Sequence, residues 1–436
     1  MKPGNSDGGA TAPLLPKLQP PPEDPSSSGG ASISGAVFNV STSMIGAGIM
    51  SIPATFKVLG VIPGFVLILI VAFLVEITVE FLLRYTNSSE SISYGGLMAE
   101  SFGKFGSIAL QVCVMVTNLG ALIIYLIIIG GMCCVGINLK EHCIWGFCKS
   151  GLASSGGIRA HVRSLSSCSS LCESLKHASA VSILLAVLFV AICSAMALHA
   201  MWEGKTQRPR LVPDFANGVS VFDLFTTIPV FATGFGCHVN VHPVRAELSR
   251  PSDMSSAVRI SLLLCIIIYF AVGFFGYLLF GDSIMSDMLV NFDQNSQTAI
   301  GSLLNDVVRV SYAIHLMMVF PVMNFSLRAN VDELFFPRKP VLARDTPRFV
   351  SLTCVLLTVI YLVAIAIPNI WYFFQFMGTT TVMFLMFIFP SAIILRDVHG
   401  ISTRRDKITA VVVIVLAVGT SLIAIASNVY SSISKK

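Results

Sequence analysis

Charge is what this chain has least of. Asp, Glu, Lys and Arg make up 12% of its 436 residues, against 54% hydrophobic ones, at a mean hydropathy of +0.80. No soluble globular fold hides that much apolar surface, so an ordinary water-soluble domain is excluded. The strict alternation of apolar and polar positions that marks membrane β-barrel strands is missing as well. So are the signatures of enzymes and pumps: there is no HExxH, no GxSxG, no phosphate-cradling Walker loop and no paired acidic metal motif. These absences argue against a membrane enzyme and an ATP-driven pump. No filter-like repeat or ring-forming acidic motif of an ion channel is visible, and no cleavable signal peptide opens the chain. The net charge of +5 carries no implication of nucleic-acid binding, because the basic residues collect at the ends of apolar runs.

What is present is length of apolar chain. Runs of about 18 or more apolar residues predict membrane-spanning helices. They fall at about 33–57, 62–85, 107–137, 179–199, 219–242, 257–280, 302–325, 347–367, 370–395 and 407–431. The fold class expected is an all-α polytopic membrane protein with about ten apparent spans in one integral domain, 33–431. Residues 1–32, rich in Pro, Gly and Ser, read as a disordered cytoplasmic tail.

Positive residues orient the spans. Arg84 and Lys104 lie between the second and third runs; Arg245, Arg250 and Arg259 follow the fifth; Arg328, Lys339 and Arg348 follow the seventh; Arg396, Arg404, Arg405 and Lys407 follow the ninth. Those loops are expected to be cytoplasmic, and the loops holding Asp282 and Asp287 to face the other side. The count then requires one more crossing between about 138 and 178. Residues 139–176 are Ser-, Gly- and Cys-rich and offer no run to make it. Two readings follow: Lys205, Arg208 and Arg210 mark a cytoplasmic loop in an unusual topology, or the stretch has replaced a normal helix, as altered splicing or a shifted reading frame would do. The second is preferred. Cys143, Cys148, Cys168 and Cys172 in this stretch lack the Cys-x-x-Cys spacing of a zinc site; disulfides are conceivable if it lies outside.

Two runs are interrupted. The first contains Thr42, Ser43, Met44, Ile45, Gly46, Ala47 and Gly48, followed by Pro53; the fifth reads "PVFATGFGCHVNVHP", with Thr233, Gly234, Phe235, Gly236 and His238 at its centre. A broken helix in hydrocarbon exposes backbone N–H and C=O groups that are tolerated only where they line a cavity or a ligand. Secondary transporters place such breaks at corresponding points of two repeats, around the substrate. With the missing span counted, the breaks fall in spans one and six, a five-plus-five arrangement, and a substrate site is expected between them. A plain Gly-rich packing face is the alternative. Candidates for ion coupling are Glu76 and Glu80, spaced one turn apart with Arg84 a turn further on, and His315, one turn from Tyr312. Buried structural pairs are the competing reading. Asn118 is a cavity-lining or interhelical hydrogen-bonding residue. His238 and His242 flank the second break as pH-sensitive groups or as plain polar residues at a helix end facing the cytoplasm, the latter reading being preferred for His242.

The stretches "FNVSTSMIGAGIMSIP", "SYGGLMAESFG", "NLGALIIYLIIIG", "CHVNVHPVRAEL", "YLLFGD" and "SLLNDVVRVSYAIHLMMVFP" resemble the amino acid/auxin permease family. The resemblance is to its sodium-coupled neutral amino acid transporter-like and vacuolar amino acid transporter branches, over about 33–130 and 174–431. It implies a leucine-transporter-like inverted repeat, five plus five spans and one more, with the fourth family helix replaced here. It also implies amino acid transport, with substrate carboxylate and amino groups held near Ser43–Gly48 and Thr233–His238. The sodium-coupled branch has Asn where Thr42 stands and hydroxyl residues where this chain has Met317 and Val319. A hard cation prefers oxygen ligands, so protons are the coupling ion expected, with no other cofactor. The expected partners are an amino acid substrate and the lipid bilayer, in a vacuolar or other endomembrane location. The rival reading is a transport-inactive membrane sensor or scaffold.

Overall fold

The computed structural model describes residues 31–135, 171–206, 208–215, 220–292, 299–337, 339, 342 and 345–434. Each apolar run is a helix, as it must be where no water is present to pair backbone groups. Helices α1 (Ile33–Met44) and α2 (Ile52–Leu59), joined by a 3-10 turn at Ala47–Ser51, form one interrupted span bent by 50°. Then come α3 (Val61–Ser88), α4 (Tyr94–Val135) and α5 (Leu171–Trp202). A second interrupted span follows, α6 (Val221–Gly234) and α7 (His238–Glu247), and then α8 (Met254–Phe280), the short α9 (Met288–Asn291), α10 (Ala299–Phe335) and α11 (Thr346–Ala366). The last two spans are α12 (Ile370–Thr379), continued by α13 (Phe389–Arg396), and α14 (Arg404–Ser434). Among the described residues nine helices are long and apolar enough to cross a membrane, ten with the bent pair, in line with the ten runs.

Contacts at the two ends fix which loops share a face. At one end Ala31 N donates to Glu247 O (2.8 Å), Arg84 pairs with Asp406 (2.9 Å) and His399 with Glu100 (2.9 Å). This is the end the positive residues assign to the cytoplasm. At the other end Val61 N donates to Arg210 O (2.9 Å) and Ile62 N to Leu211 O (3.1 Å), and Arg210 pairs with Asp282 and Asp214. Gly60 makes that junction possible. It sits at φ +79°, and a Cβ there would lie 2.8 Å from the backbone of Val212.

Lys205, Arg208 and Arg210 therefore lie on the outer face, which removes the cytoplasmic-loop reading. Lys205 is matched by Glu203 and Arg210 by two aspartates, so little local charge is left to bias orientation. It follows that α4 ends on the outer face and α5 begins on the inner one. Residues 136–170 between them lie outside the described residues, as do most of the tail and the positions of Cys143, Cys148 and Cys168. Residues 171–176 form the first turns of α5, having no Gly or Pro to stop a helix that starts ahead of its apolar run.

The core is built around the interrupted spans. α1 packs on α8 and α7, α2 on α8 and α6, α6 on α12 and α14, and α10 on α4 and α5. Large apolar side chains such as Phe73, Leu263 and Ile267 point outward, where a bilayer would cover them.

Candidate functional site

The first break begins where Ile45 leaves helical geometry (φ −77°, ψ 80°) and Gly46 becomes extended (φ −129°, ψ −156°). The second runs from Gly234 to Cys237, flanked by Pro229 inside α6 and Pro243 inside α7, each of which removes a helical N–H donor. The breaks meet. A Cβ placed on Gly48 would stand 3.3 Å from Gly234 Cα, and one on Gly234 would stand 3.3 Å from the ring of Tyr269.

Two buried tyrosines hold the freed carbonyls. Tyr269 Oη of α8 lies 2.7 Å from Met44 O and 2.7 Å from Gly234 O, so one hydroxyl is shared between the two spans. Tyr312 Oη of α10 donates to Gly46 O (2.7 Å). Tyr125 of α4 stands against Gly46, Phe374 of α12 lies beside Gly48, and Phe235 meets Tyr269 edge-on at 4.9 Å. Ala47 and Gly48 head the 3-10 turn, where N–H groups have no partner within the helix. The restarting helices bring positive dipole ends to this point, and the stopping helices bring negative ones.

Of the residues singled out in the sequence, Met44, Gly46, Gly48, Gly234 and Phe235 come together here, with Ile45 and Ala47 between them. The others point elsewhere. Thr42 Oγ1 donates to Phe38 O and Thr233 Oγ1 to Pro229 O, back along their own helices. Ser43 accepts from Asn240 Nδ2 (2.8 Å), tying α1 to α7. Gly236 N donates to Thr233 O, closing the turn of the second break. Asn118 Nδ2 reaches Ser326 Oγ of α10 (3.3 Å), an interhelical bond. Met317 is exposed and Val319 packs on the core.

Glu76, Glu80 and Arg84 do not pair with one another. Glu76 binds Arg259 of α8 (2.8 Å), Glu80 accepts from Ser255, and Arg84 turns to Asp406 of α14. His315 is buried with its ring on Tyr312. His242 is not a surface group: it is 3% exposed and bonded to Thr86, as His238 is to Thr78.

Above the first break lies an outer loop. Ser51 Oγ donates to Ser286 O (2.7 Å), and Asp287 caps α9 by accepting from Leu289 N (3.0 Å). Burial pushes the Asp287 carboxyl up to about 6. At the cytoplasmic end the Tyr85 hydroxyl, with Lys407, holds Asp397 well below the usual carboxylate range.

Sequence reasoning missed Tyr269, Tyr125 and the break in the tenth span, where Thr380 leaves helical geometry (φ −117°, ψ −101°) ahead of a π-helical turn at Phe384–Ile388. Tyr269 had a signal: it is the lone hydroxyl in "LLLCIIIYFAVGFF". The tenth-span break left one too, in Gly378 ahead of three consecutive threonines and Pro390 just past the π-helical turn.

Comparison with known proteins completes the picture. Residues 29–434 match the family model "Transmembrane amino acid transporter protein". The chain is 52% identical to amino acid transporter AVT6C of Arabidopsis thaliana over 96% of this chain and 97% of that one. It is 44% identical to AVT6A of the same plant over 97% and 94%. Solute carrier family 38 member 10 of Mus musculus is 24% identical over 88% of this chain and 35% of its own length. In three dimensions, a mutant manganese transporter of Eremococcus coleocola superposes with TM-score 0.58 at 13% identity, over 91% of this chain and 86% of that one. That likeness concerns the fold alone, which is the leucine-transporter-like inverted repeat. With two interrupted helices crossing at its centre and a family match over nearly its whole length, the chain belongs to the transmembrane amino acid transporter family.

Proposed function

We propose that this chain is a secondary active amino acid transporter, coupled to protons rather than sodium, working by alternating access around its first and sixth spans. The observation that carries the reading is the meeting of the two breaks at Gly48 and Gly234, with unpaired N–H groups on one side and polarised carbonyls on the other. A zwitterion matches that pattern: its carboxylate suits the N–H groups at Ala47 and Gly48, and its ammonium suits carbonyls at the ends of α1 and α6. The relatives' names support amino acids as cargo. Met317 and Val319 have no side-chain oxygen for a cation, and the Thr42 hydroxyl is turned back to Phe38 O, which supports protons. An internal membrane, the vacuole first, is the compartment we assign, on the resemblance to the vacuolar branch.

Uptake of a labelled amino acid panel into proteoliposomes of the full chain tests this, under an imposed pH gradient and then a sodium gradient. Accumulation driven by the pH gradient is the expected result. Accumulation under the sodium gradient alone overturns the coupling. Saturable binding without uptake under either gradient, from folded protein, overturns transport in favour of a sensor.

A further inference from the structure

Two histidines follow the second break on the cytoplasmic side, and each is held by a threonine of α3. Thr78 Oγ1 lies 2.9 Å from Leu74 O, 3.2 Å from Val75 O and 2.9 Å from His238 Nε2. Thr86 Oγ1 lies 2.7 Å from Leu82 O and 2.9 Å from His242 Nε2. A hydroxyl has one proton to give, and a carbonyl can only accept. Each threonine therefore donates to its own helix and accepts from the imidazole, which puts the hydrogen on Nε2. In the neutral ring Nδ1 is then a bare lone pair. His238 is 1% and His242 3% exposed, and neither Nδ1 has a hydrogen-bond partner among the described residues. A buried polar atom left without a partner is costly and calls for a reason. A lone pair kept bare beside the substrate site is one way to accept a proton.

We propose that His238 carries the coupled proton on Nδ1, and that His242, one turn nearer the cytoplasm, relays it. The inference rests on the proton-coupled reading above. In the loading step, water carrying a proton gives it to the Nδ1 lone pair of His238. The product is an imidazolium whose Nε2–H stays on Thr78. Unloading passes the Nδ1 proton through water to Nδ1 of His242 and on to cytoplasmic water, restoring both neutral rings. No electrons are exchanged.

The surroundings engage most of the other titratable groups. On α3, Glu76 and Glu80 are turned to Arg259 and Ser255 of α8. On α7 itself, Arg245 is bonded to Asn87, and Glu247 lies exposed at the cytoplasmic end of the helix, one turn beyond His242. From α4, Tyr94 stacks on His242 at 5.9 Å while its hydroxyl donates to Leu385 O. α8 adds Cys265 and Tyr269, the latter engaged with Met44 and Gly234. Neither α1 nor Phe384–Ile388 carries a titratable side chain.

The test uses the full chain in proteoliposomes with two readouts: accumulation under a pH gradient, and exchange of labelled for unlabelled amino acid at equal pH. In His238→Gln the amide keeps a donor for Thr78 but cannot titrate. Exchange should persist and gradient-driven accumulation should be lost. Accumulation equal to the parent's overturns the proposal, and so does loss of exchange together with accumulation, which would make His238 a substrate ligand. Thr78→Val serves as a second probe. Removing the acceptor disfavours the charged ring, so the pH profile of accumulation should move to more acidic values, and Thr78→Ser should restore it. An unmoved profile overturns the proposal even if His238→Gln does not fold. A parent that exchanges but never accumulates under a pH gradient removes the coupling reading itself, an outcome distinct from all of these.

Discussion

The first and sixth spans are interrupted at matching places, yet they are held open differently. In the first, α1 stops at Met44 and the chain restarts at Ala47. Its outer half is covered by the loop carrying Ser286 and Asp287, through one side-chain hydrogen bond from Ser51. In the sixth, α6 stops at Gly234 and restarts at His238. Its outer half is backed by α12, so closely that a Cβ on Gly378 would stand 2.3 Å from Pro229 O. Both outer halves are backed by helices, since a Cβ on Gly276 of α8 would stand 2.7 Å from Pro53 of α2, but only the first carries the loop over it as well. A loop opens locally at far lower free energy than a packed helix pair. The difference makes the loop over the first span the natural part to open, with the packed helices beneath it as the reference. Tyr269, bonded to Met44 and Gly234, ties the two spans together.

The largest effect should come from breaking the rigid side. Gly378→Ala puts a methyl group into the Pro229 carbonyl, where only backbone movement relieves the clash, and overpacking of that kind costs about 1–3 kcal/mol or more. A sharply lower thermal midpoint in detergent, with little folded protein recovered, is expected; a midpoint equal to the parent's would show that α12 is not the support.

Next in size is the tie between the spans. Tyr269→Phe leaves Gly234 O buried without its donor, at a cost of about 1–3 kcal/mol. Tyr312→Phe should cost less, because Gly46 O still accepts from Ile49 N. Thermal unfolding of the two variants side by side checks the order, and equal losses would mean that Tyr269 does not join the spans.

How much of this could be read from residues alone depends on how each feature is encoded. The spans were legible because ten apolar runs leave no other structure for a chain in hydrocarbon. Both breaks were legible because Gly46, Gly48, Gly234 and Gly236 interrupt those runs. The outer placement of Lys205, Arg208 and Arg210 was legible only by counting crossings, since the charges pointed the wrong way until Glu203, Asp214 and Asp282 were seen beside Lys205 and Arg210. Side-chain partners were not legible at all. Glu76 and Arg84 share a helix face in sequence spacing, but each finds a partner far away in the chain, Arg259 and Asp406. The tyrosine hydroxyls and the Thr–His pairs likewise depend on which helices become neighbours, and a sequence pattern within one helix does not carry that.

The smallest expected effect concerns the loop over the first span, and it appears only as a dependence on pH. Burial raises the Asp287 carboxyl to about 6 from its ordinary 3.8, so the folded chain binds that proton more tightly than the unfolded one. The resulting stability is fully present in acid below the ordinary value and is lost as pH rises through about 6. Asp397 at the cytoplasmic end has the opposite sign. Held below its ordinary value, it contributes stability that persists above that value and is lost only in stronger acid, so it is silent between roughly pH 5 and 8. Asp287→Asn keeps an oxygen for Leu289 N but cannot ionise. The difference in thermal midpoint between parent and variant should therefore change as pH is taken from about 5 to 8, with the parent losing ground at the alkaline end. A constant difference across that range would mean that Asp287 is not sensing burial. The loop would then answer to the compartment's acidity no more than α12 does, and the contrast between the two supports would rest on packing alone.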